Sequence, residues 1–166
     1  MKRLFIALTL VTATSSNAAE ILYGFSPEQH KALDMITGEI NGAQKNIELM
    51  GYSFTSPQIS KALANAQDRG VTVRLVLDHK ANQNKTSQRA IHFLKSHGVA
   101  VRLNSQYPIM HDKVIIVDSK DVETGSFNFS AAASYKNSEN AIIIKDMPEL
   151  AAVYHKHWES RWDNGE

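Results

Sequence analysis

His111 and Lys113 are the residues whose types and spacing best suit chemistry. They open the run HDKVIIVD over residues 111–118, whose apolar centre predicts a buried strand. Residues i and i+2 of a strand lie on one face, so these two side chains point the same way and Asp112 points to the opposite face. A histidine can act as a nucleophile or an acid–base group, and a lysine places positive charge beside a phosphate. Most lone His-x-Lys pairs are plain surface residues, and this one indicates phosphodiester chemistry only together with the run GSFN that follows it.

Three polar side chains further along the chain could complete such a site. Ser126 and Asn128 are two residues apart in the run GSFN. Both side chains therefore face the same side of the sheet if the strand continues that far. Both could donate hydrogen bonds to phosphoryl oxygens, although turn or helix-cap chemistry explains them equally well. Glu139 heads an apolar run and could orient His111 by accepting a hydrogen bond from its second ring nitrogen. A solvated charge at a strand end is an equal alternative for Glu139.

Two pairs of residues near the end of the chain have plainer explanations. His155 and His157 are two residues apart in a predicted helix, so they point about 200° apart and cannot share a metal. We interpret both as surface histidines. Trp158 and Trp162 are one helical turn apart and are expected to pack against each other rather than to stack on bases.

Two regions near strand ends are weaker candidates for substrate contacts. The polar segment HKANQNK over residues 79–85 follows a predicted strand, where open α/β sheets place their binding sites. Lys80 and Lys85 could contact a phosphate backbone there, although a solvated loop is the more common explanation. Tyr52 and Phe54 follow another strand and could line a substrate groove, but core packing is the favoured interpretation.

The elements that must position these residues alternate between strand and helix. Strands separated by helices of about 12 to 15 residues predict an α/β fold, a mixed β-sheet flanked by helices on both faces. The turn at residues 119–121 is too short for a crossover, so the strands beside it are antiparallel. Ser26 and Ser56, each followed by proline, predict helix N-caps. The predicted strands are residues 20–25, 46–54, 71–78, 99–103, 111–118, 122–126 and 139–145.

The first residues of the chain differ from the rest. Two basic residues, an apolar stretch and then small residues over 1–19 are typical of a secretory signal peptide, cleaved after Ala18 or Ala19. We expect the remainder, residues 20–166, to form one domain that is periplasmic or secreted, with no stable membrane insertion.

Composition limits the classes of function. Without the two basic residues of the signal peptide, the 18 basic and 17 acidic residues of the chain become 16 and 17. Because proteins that bind polyanions usually have a basic balance, nucleic-acid binding would depend on a local basic patch. The chain has no cysteine, which excludes cysteine nucleophiles and cysteine metal sites.

Six residues at set spacings resemble the HKD motif of the phospholipase D superfamily. The motif is specific, since five side-chain types and a glycine must all stand in register. The small size, the signal peptide and the region 23–162 are similar to the short bacterial endonucleases of the Nuc type in that superfamily. The six residues are His111, Lys113, Asp118, Gly125, Ser126 and Asn128.

The resemblance implies a mechanism and an assembly. One motif histidine attacks phosphorus and forms a phosphohistidine, while a second protonates the leaving oxygen and then activates water. Lysines and asparagines hold the phosphate, and neither a metal nor another cofactor is needed. By the same analogy Ser126 contacts the site and Glu139 orients His111, while Asp118 and Gly125 support the motif's structure. Larger members carry two motifs, whereas this chain carries one and no repeat, which implies a homodimer sharing one site.

The leading hypothesis is a metal-independent phosphodiesterase, a homodimeric endonuclease that cleaves DNA with little sequence preference, with RNA as a further candidate substrate. The alternative is a phospholipase D that acts on phospholipid head groups. Against it, the sequence after the signal peptide shows no basic amphipathic helix or exposed apolar lid. A third hypothesis, a non-catalytic binding module on the same fold, leaves the histidine unexplained.

Overall fold

The computed structural model describes residues 19–166, so the predicted signal peptide lies outside the described residues except for Ala19. None of the helices in this part of the chain is long and apolar enough to cross a bilayer. The strands are β1 (Ile21–Ser26), β2 (Asn46–Gly51), β3 (Thr72–Asp78), β4 (Ala100–Asn104), β5 (Lys113–Val117), β6 (Asp121–Gly125) and β7 (Glu139–Ile144). The helices are α1 (Lys31–Gly42), α2 (Pro57–Asp68), α3 (Lys85–Ser96), α4 (Ala131–Tyr135) and α5 (Pro148–Asp163).

The strands form one sheet in the order β1-β7-β6-β5-β2-β3-β4. β2, β3 and β4 are parallel to one another, and the other neighbouring pairs are antiparallel. The short turn between β5 and β6 makes them antiparallel neighbours. The predicted α/β fold with a mixed sheet is therefore confirmed.

Helices cover both faces of the sheet. Side chains of neighbouring residues in a strand point to opposite faces, so they pack into two separate cores. On one face Ile115 of β5 lies in a core with Ile36 of α1 and Leu63 of α2. On the other face Ile116 lies in a core with Trp158 of α5. The motif strand is thus buried on both sides, which holds its start in a fixed place.

The last helix is tied to the sheet by polar contacts as well as by packing. The Trp158 indole Nε1 donates to the Leu49 carbonyl at 3.0 Å, so the predicted packing role of this tryptophan is confirmed. The buried Glu48 carboxylate contacts His155 Nδ1 at 2.7 Å and Arg74 at 2.5 Å. His155 is half-exposed, as expected of a surface histidine, but its side chain also pairs with a buried acid.

Both motif strands are shorter than the sequence predicts. β5 begins at Lys113 and β6 ends at Gly125. His111 therefore precedes its strand, and Ser126 and Asn128 follow theirs. The alternation of side-chain direction along a strand therefore does not set where these three side chains point. The geometry of the loops must bring them together.

The two predicted serine caps have different outcomes. Ser56 caps α2, accepting a hydrogen bond from the Ile59 N–H at 3.3 Å. Ser26 instead ends β1, and its hydroxyl donates to the Ala133 carbonyl of α4 at 2.6 Å. α1 begins only at Lys31, because a long-range contact to α4 has taken the serine that would have capped it.

Candidate active site

A pocket of about 370 Å³ opens at the ends of three inner strands of the sheet, where β5 and β7 begin and β6 ends. The fold brings to this one place the residues for which sequence spacing predicted chemistry. The pocket is lined by His111, Lys113, Gly125, Ser126, Asn128 and Glu139.

His111 is exposed and packs against an aromatic ring. Its imidazole lies beside the Tyr52 ring, with centroids 4.7 Å apart. Its main-chain carbonyl accepts a hydrogen bond from Lys113 Nζ at 2.7 Å. Tyr52 is therefore a neighbour of the site, whereas Phe54, considered together with it, is fully buried in the core.

Asn82 fixes Tyr52, and sequence reasoning did not single it out. The buried Asn82 amide donates to the Tyr52 carbonyl at 2.6 Å and accepts from the Phe54 N–H at 2.9 Å. It also donates to the Asp78 carbonyl at 2.8 Å, which ties the loop after β3 to the loop after β2. No local pattern marks this asparagine within its polar segment, because its partners are about thirty residues away in sequence.

Lys113 places a buried cation beside the pocket. Only 6% of the residue is exposed to solvent. Burial lowers the pKa of its ammonium, and the negative charges of Asp112 and Glu139 oppose that shift. A fixed charge with little surrounding water stabilises an incoming phosphate more strongly than a solvated one.

Glu139 contacts Ser126 rather than His111. Its Oε2 accepts a hydrogen bond from Ser126 Oγ at 2.5 Å, and its Oε1 accepts from Asn137 Nδ2 at 2.9 Å. Ser126 Oγ in turn accepts from the Asn140 N–H at 3.1 Å. In the described part of the chain no hydrogen bond joins Glu139 to His111, so the expected orienting contact is not formed. The carboxylate instead fixes the serine hydroxyl.

Asn128 brings an unpaired polar atom to the pocket. Its Oδ1 is buried and has no hydrogen-bond partner among residues 19–166. The main chain around it is fixed, since the Phe129 carbonyl accepts from the Thr55 N–H at 2.9 Å. An unpaired buried polar group costs about 1–3 kcal/mol, so such an amide suits a site that a ligand completes.

Asp118 and Gly125 lie at the ends of the motif strands and contact main chain. The Asp118 carboxylate accepts hydrogen bonds from the N–H groups of residues 44–46, the shortest at 2.7 Å. A Cβ at position 125 would clash with the Asn140 carbonyl oxygen. Both positions serve the backbone around the site, which fits the structural role expected for them.

Asp112 faces α5 instead of the pocket. Its Oδ1 lies 3.1 Å from His157 Nε2 and its Oδ2 lies 3.9 Å from Arg161 Nε. His157 is half-exposed, as expected of a surface histidine, and it also ties α5 to the motif. His155 and His157 bind different carboxylates, in keeping with their opposite directions on the helix.

The two weakly predicted substrate contacts lie outside the catalytic pocket. Lys80 and Lys85 are both exposed, in the loop after β3 and at the start of α3, and neither lines the pocket. Their contact with substrate stays a prediction.

Sequence comparisons identify a family and several relatives for this chain. The family model described as "Cardiolipin synthase, PLD-like domain" matches residues 36–162. Phospholipase D of Rickettsia conorii is 43% identical over 126 residues, which are 76% of this chain and 62% of that protein. Mitochondrial cardiolipin hydrolase of Xenopus laevis is 35% identical over 137 residues, which are 82% of this chain and 64% of that one. The chain thus spans about three-fifths of the length of these relatives.

The fold comparison agrees with the sequence comparison. The crystal structure of Nuc, a phospholipase D family member from Salmonella typhimurium, matches with a TM-score of 0.88 and 44% identity. The match covers 90% of this chain and 97% of that one. The chain belongs to the phospholipase D superfamily. Within the superfamily it is a Nuc-like member carrying one HKD motif.

Proposed function

We propose that the protein is a metal-independent endonuclease that hydrolyses DNA through a phosphohistidine intermediate. The observation that carries the proposal is the single pocket uniting His111, Lys113, Ser126 and Asn128. A ring nitrogen of His111 attacks phosphorus, the bond from phosphorus to the leaving oxygen breaks, and that oxygen takes a proton from a second histidine. Water then gives a proton to the second histidine and displaces His111 from phosphorus.

The second histidine is His111 of another copy of the chain. Among the described residues that line the pocket, His111 is the one histidine. One imidazole cannot attack phosphorus and protonate the leaving oxygen in the same step. An isologous dimer brings two copies of the same residue to its two-fold axis.

An uncovered part of the sheet offers a surface for this dimer. α5 packs on β2 to β6, and the same face of β1 exposes Ile21, Tyr23 and Phe25 by 59%, 71% and 53%. We call these three residues the open face. Phe25 pairs with Asn140, which contacts Ser126, so the open face continues to the catalytic pocket. A contiguous apolar surface of this kind is typical of an interface, and a second copy on it would bring two pockets together.

Cleavage of phospholipid head groups is the second candidate function. The names of two relatives, phospholipase D and cardiolipin hydrolase, favour it. α3 is a basic amphipathic helix, which the sequence did not predict, and it leaves Phe93 partly exposed. DNA remains the first candidate because α3 buries Ile91 and Leu94 in the core. They are not available to enter a bilayer, as the apolar side of a membrane-binding helix must be.

Parallel assays of plasmid DNA and phosphatidylcholine vesicles in excess EDTA test the proposal. We expect DNA cleavage by the wild-type protein and by His92→Ala, an exposed histidine outside the pocket, and no cleavage by His111→Ala. Turnover by His111→Ala would contradict the histidine mechanism. Complete loss of cleavage in EDTA would indicate a metal-dependent enzyme, and cleavage of the lipid alone would establish the second candidate.

We also propose a periplasmic or secreted location. The proposal rests on the signal-peptide pattern at residues 1–19. Mass spectrometry of the protein from fractionated cells should find it outside the cytoplasm with an N-terminus at Ala19 or Glu20. Cytoplasmic protein that retains Met1 would contradict the proposal.

A further inference from the structure

The positive charge of the chain is concentrated in one segment. Residues 79–97, HKANQNKTSQRAIHFLKSH, contain four Lys or Arg residues, three histidines and no acid. The rest of the chain after the signal peptide then has 12 basic and 17 acidic residues. All four cations, Lys80, Lys85, Arg89 and Lys95, are exposed. We call residues 79–97 the basic segment, and it supplies the local patch that the overall charge does not.

A groove of about 790 Å³ runs between α2 and α3, beside the basic segment. Lys61 stands on its α2 wall and Arg89 on its α3 wall. Phe93 lies one helical turn after Arg89 on α3, is 38% exposed, and has its ring 4.7 Å from that of His97. A groove with cations on both walls and an accessible aromatic ring has the features with which proteins hold a single nucleic-acid strand.

The groove reaches the neighbourhood of the catalytic pocket. Thr55 and Ala131 line one end of it, and the Ala131 N–H donates to Thr55 Oγ1 at 3.3 Å. Ala131 is three residues after Asn128, which lines the catalytic pocket. At the other side, Gln88 of the basic segment donates to the Asn82 carbonyl at 2.6 Å. The two sites are therefore joined by residues 128–131, and α3, which forms one wall of the groove, is tied to the asparagine that supports Tyr52.

We propose that this groove binds a single-stranded stretch of the polynucleotide outside the scissile phosphate. Lys61 and Arg89 hold successive phosphates from opposite walls, and a base stacks on Phe93. The proposal rests on the proposed nuclease function. A membrane surface is the less favoured occupant, because these cations line a concave groove instead of an outward-facing plane.

The test is a charge reversal on both walls, Lys61→Glu with Arg89→Glu. Lys45→Glu with Lys156→Glu is the control matched in charge, since both lysines are exposed and line neither the groove nor the catalytic pocket. With a single-stranded oligonucleotide, we expect KM to rise at least about tenfold and the slope of log KM against log salt to fall by about 1.4. Hydrolysis of bis(p-nitrophenyl) phosphate, too small to reach the groove, should be unchanged. An unaltered oligonucleotide KM, or an equal loss with the small substrate, would overturn the proposal.

A binding experiment separates this proposal from the nuclease function. Fluorescence anisotropy of a labelled oligonucleotide with catalytically inactive His111→Ala should show binding that the double reversal weakens and Phe93→Ser also weakens. If this binding pattern holds but the wild-type protein cleaves no DNA, the proposed binding in the groove is supported and the proposed nuclease function is wrong. If the double reversal leaves oligonucleotide binding intact, the proposed role of the groove is wrong. If the double reversal weakens binding to anionic vesicles but not to the oligonucleotide, the groove binds a membrane surface and the proposal is wrong.

Discussion

At the scale of single residues, the catalytic pocket depends on one buried cation. Lys113 is removed from solvent and donates to the carbonyl of His111. Burial lowers its pKa, so the ammonium loses its proton at a lower pH than an ordinary lysine does. Binding of a phosphate in the pocket needs the protonated form, and activity should report this titration.

Substituting Lys113 by arginine should change the alkaline side of the pH–rate profile. In the wild-type protein, kcat/KM should fall as Lys113 deprotonates below 10.5, the ordinary lysine pKa. Arginine stays protonated, so Lys113→Arg should be slower but should lack that fall. Profiles measured with bis(p-nitrophenyl) phosphate check this, with Lys136→Arg as a control at an exposed lysine. The same alkaline fall in all three proteins would contradict the role of Lys113.

A second buried residue bears on stability. Glu123 is fully buried, and neither carboxylate oxygen has a hydrogen-bond partner in the described part of the chain. Burial raises its pKa well above the ordinary value of 4.5. The folded protein therefore keeps a proton that the unfolded chain loses, and stability decreases as pH rises above that value.

Replacing Glu123 by glutamine should remove this decrease. Glu123→Gln should unfold at a higher urea concentration than the wild-type protein at alkaline pH, with the difference shrinking towards pH 4.5. Glu159→Gln, at an exposed position of α5, should leave the pH dependence unchanged. A Glu123→Gln protein that is less stable than wild type at alkaline pH would show that the carboxylate is charged and paired in the fold.

At the scale of the elements, the sequence predicts what local patterns encode. Alternating apolar runs identify the sheet strands, and the short turn after Val117 identifies an antiparallel pair. Long-range contacts decide the rest. Ser26 bonds to α4 instead of capping α1, and Glu139 accepts from Ser126 instead of His111. Ser26 and Glu139 each had several possible hydrogen-bond partners. A sequence pattern cannot show which of them is chosen when only the fold brings the partners close.

The same reasoning explains why Asn82 was missed and predicts its effect. Asn82→Ala should remove three hydrogen bonds to buried main chain and lower the free energy of unfolding by about 2–3 kcal/mol. Because the loop that carries Tyr52 would lose its anchor, kcat should also fall. Urea denaturation and DNA cleavage check both effects, with exposed Gln83→Ala as the control. A variant with wild-type stability would contradict the anchoring role.

At the scale of the whole molecule, the chain is nearly neutral, but a basic surface and an apolar surface lie in different places. The basic segment carries cations and no acid, and the open face carries three exposed apolar side chains in a row. Total charge and composition could not show this, since they are averages over the surface. We propose polynucleotide binding in the groove beside the basic segment and dimerisation on the open face.

The open face gives a prediction about assembly. Tyr23→Lys places a charge among apolar residues that are buried in the proposed dimer, so it should yield monomers without DNA cleavage. Tyr23→Phe keeps the surface apolar and should remain dimeric and active. Analytical ultracentrifugation with cleavage assays on the same samples checks this. An active monomer of either variant would contradict the shared site.

The most direct test of the account is activity in mixtures of wild-type chains with His111→Ala chains. The two are unfolded and refolded together at varying ratios and constant total protein, and DNA cleavage is measured. If one site needs His111 from two chains, only wild-type pairs are active, and the rate follows the square of the wild-type fraction. A rate that follows the wild-type fraction linearly would mean that each chain carries a complete site, and the shared mechanism would be wrong.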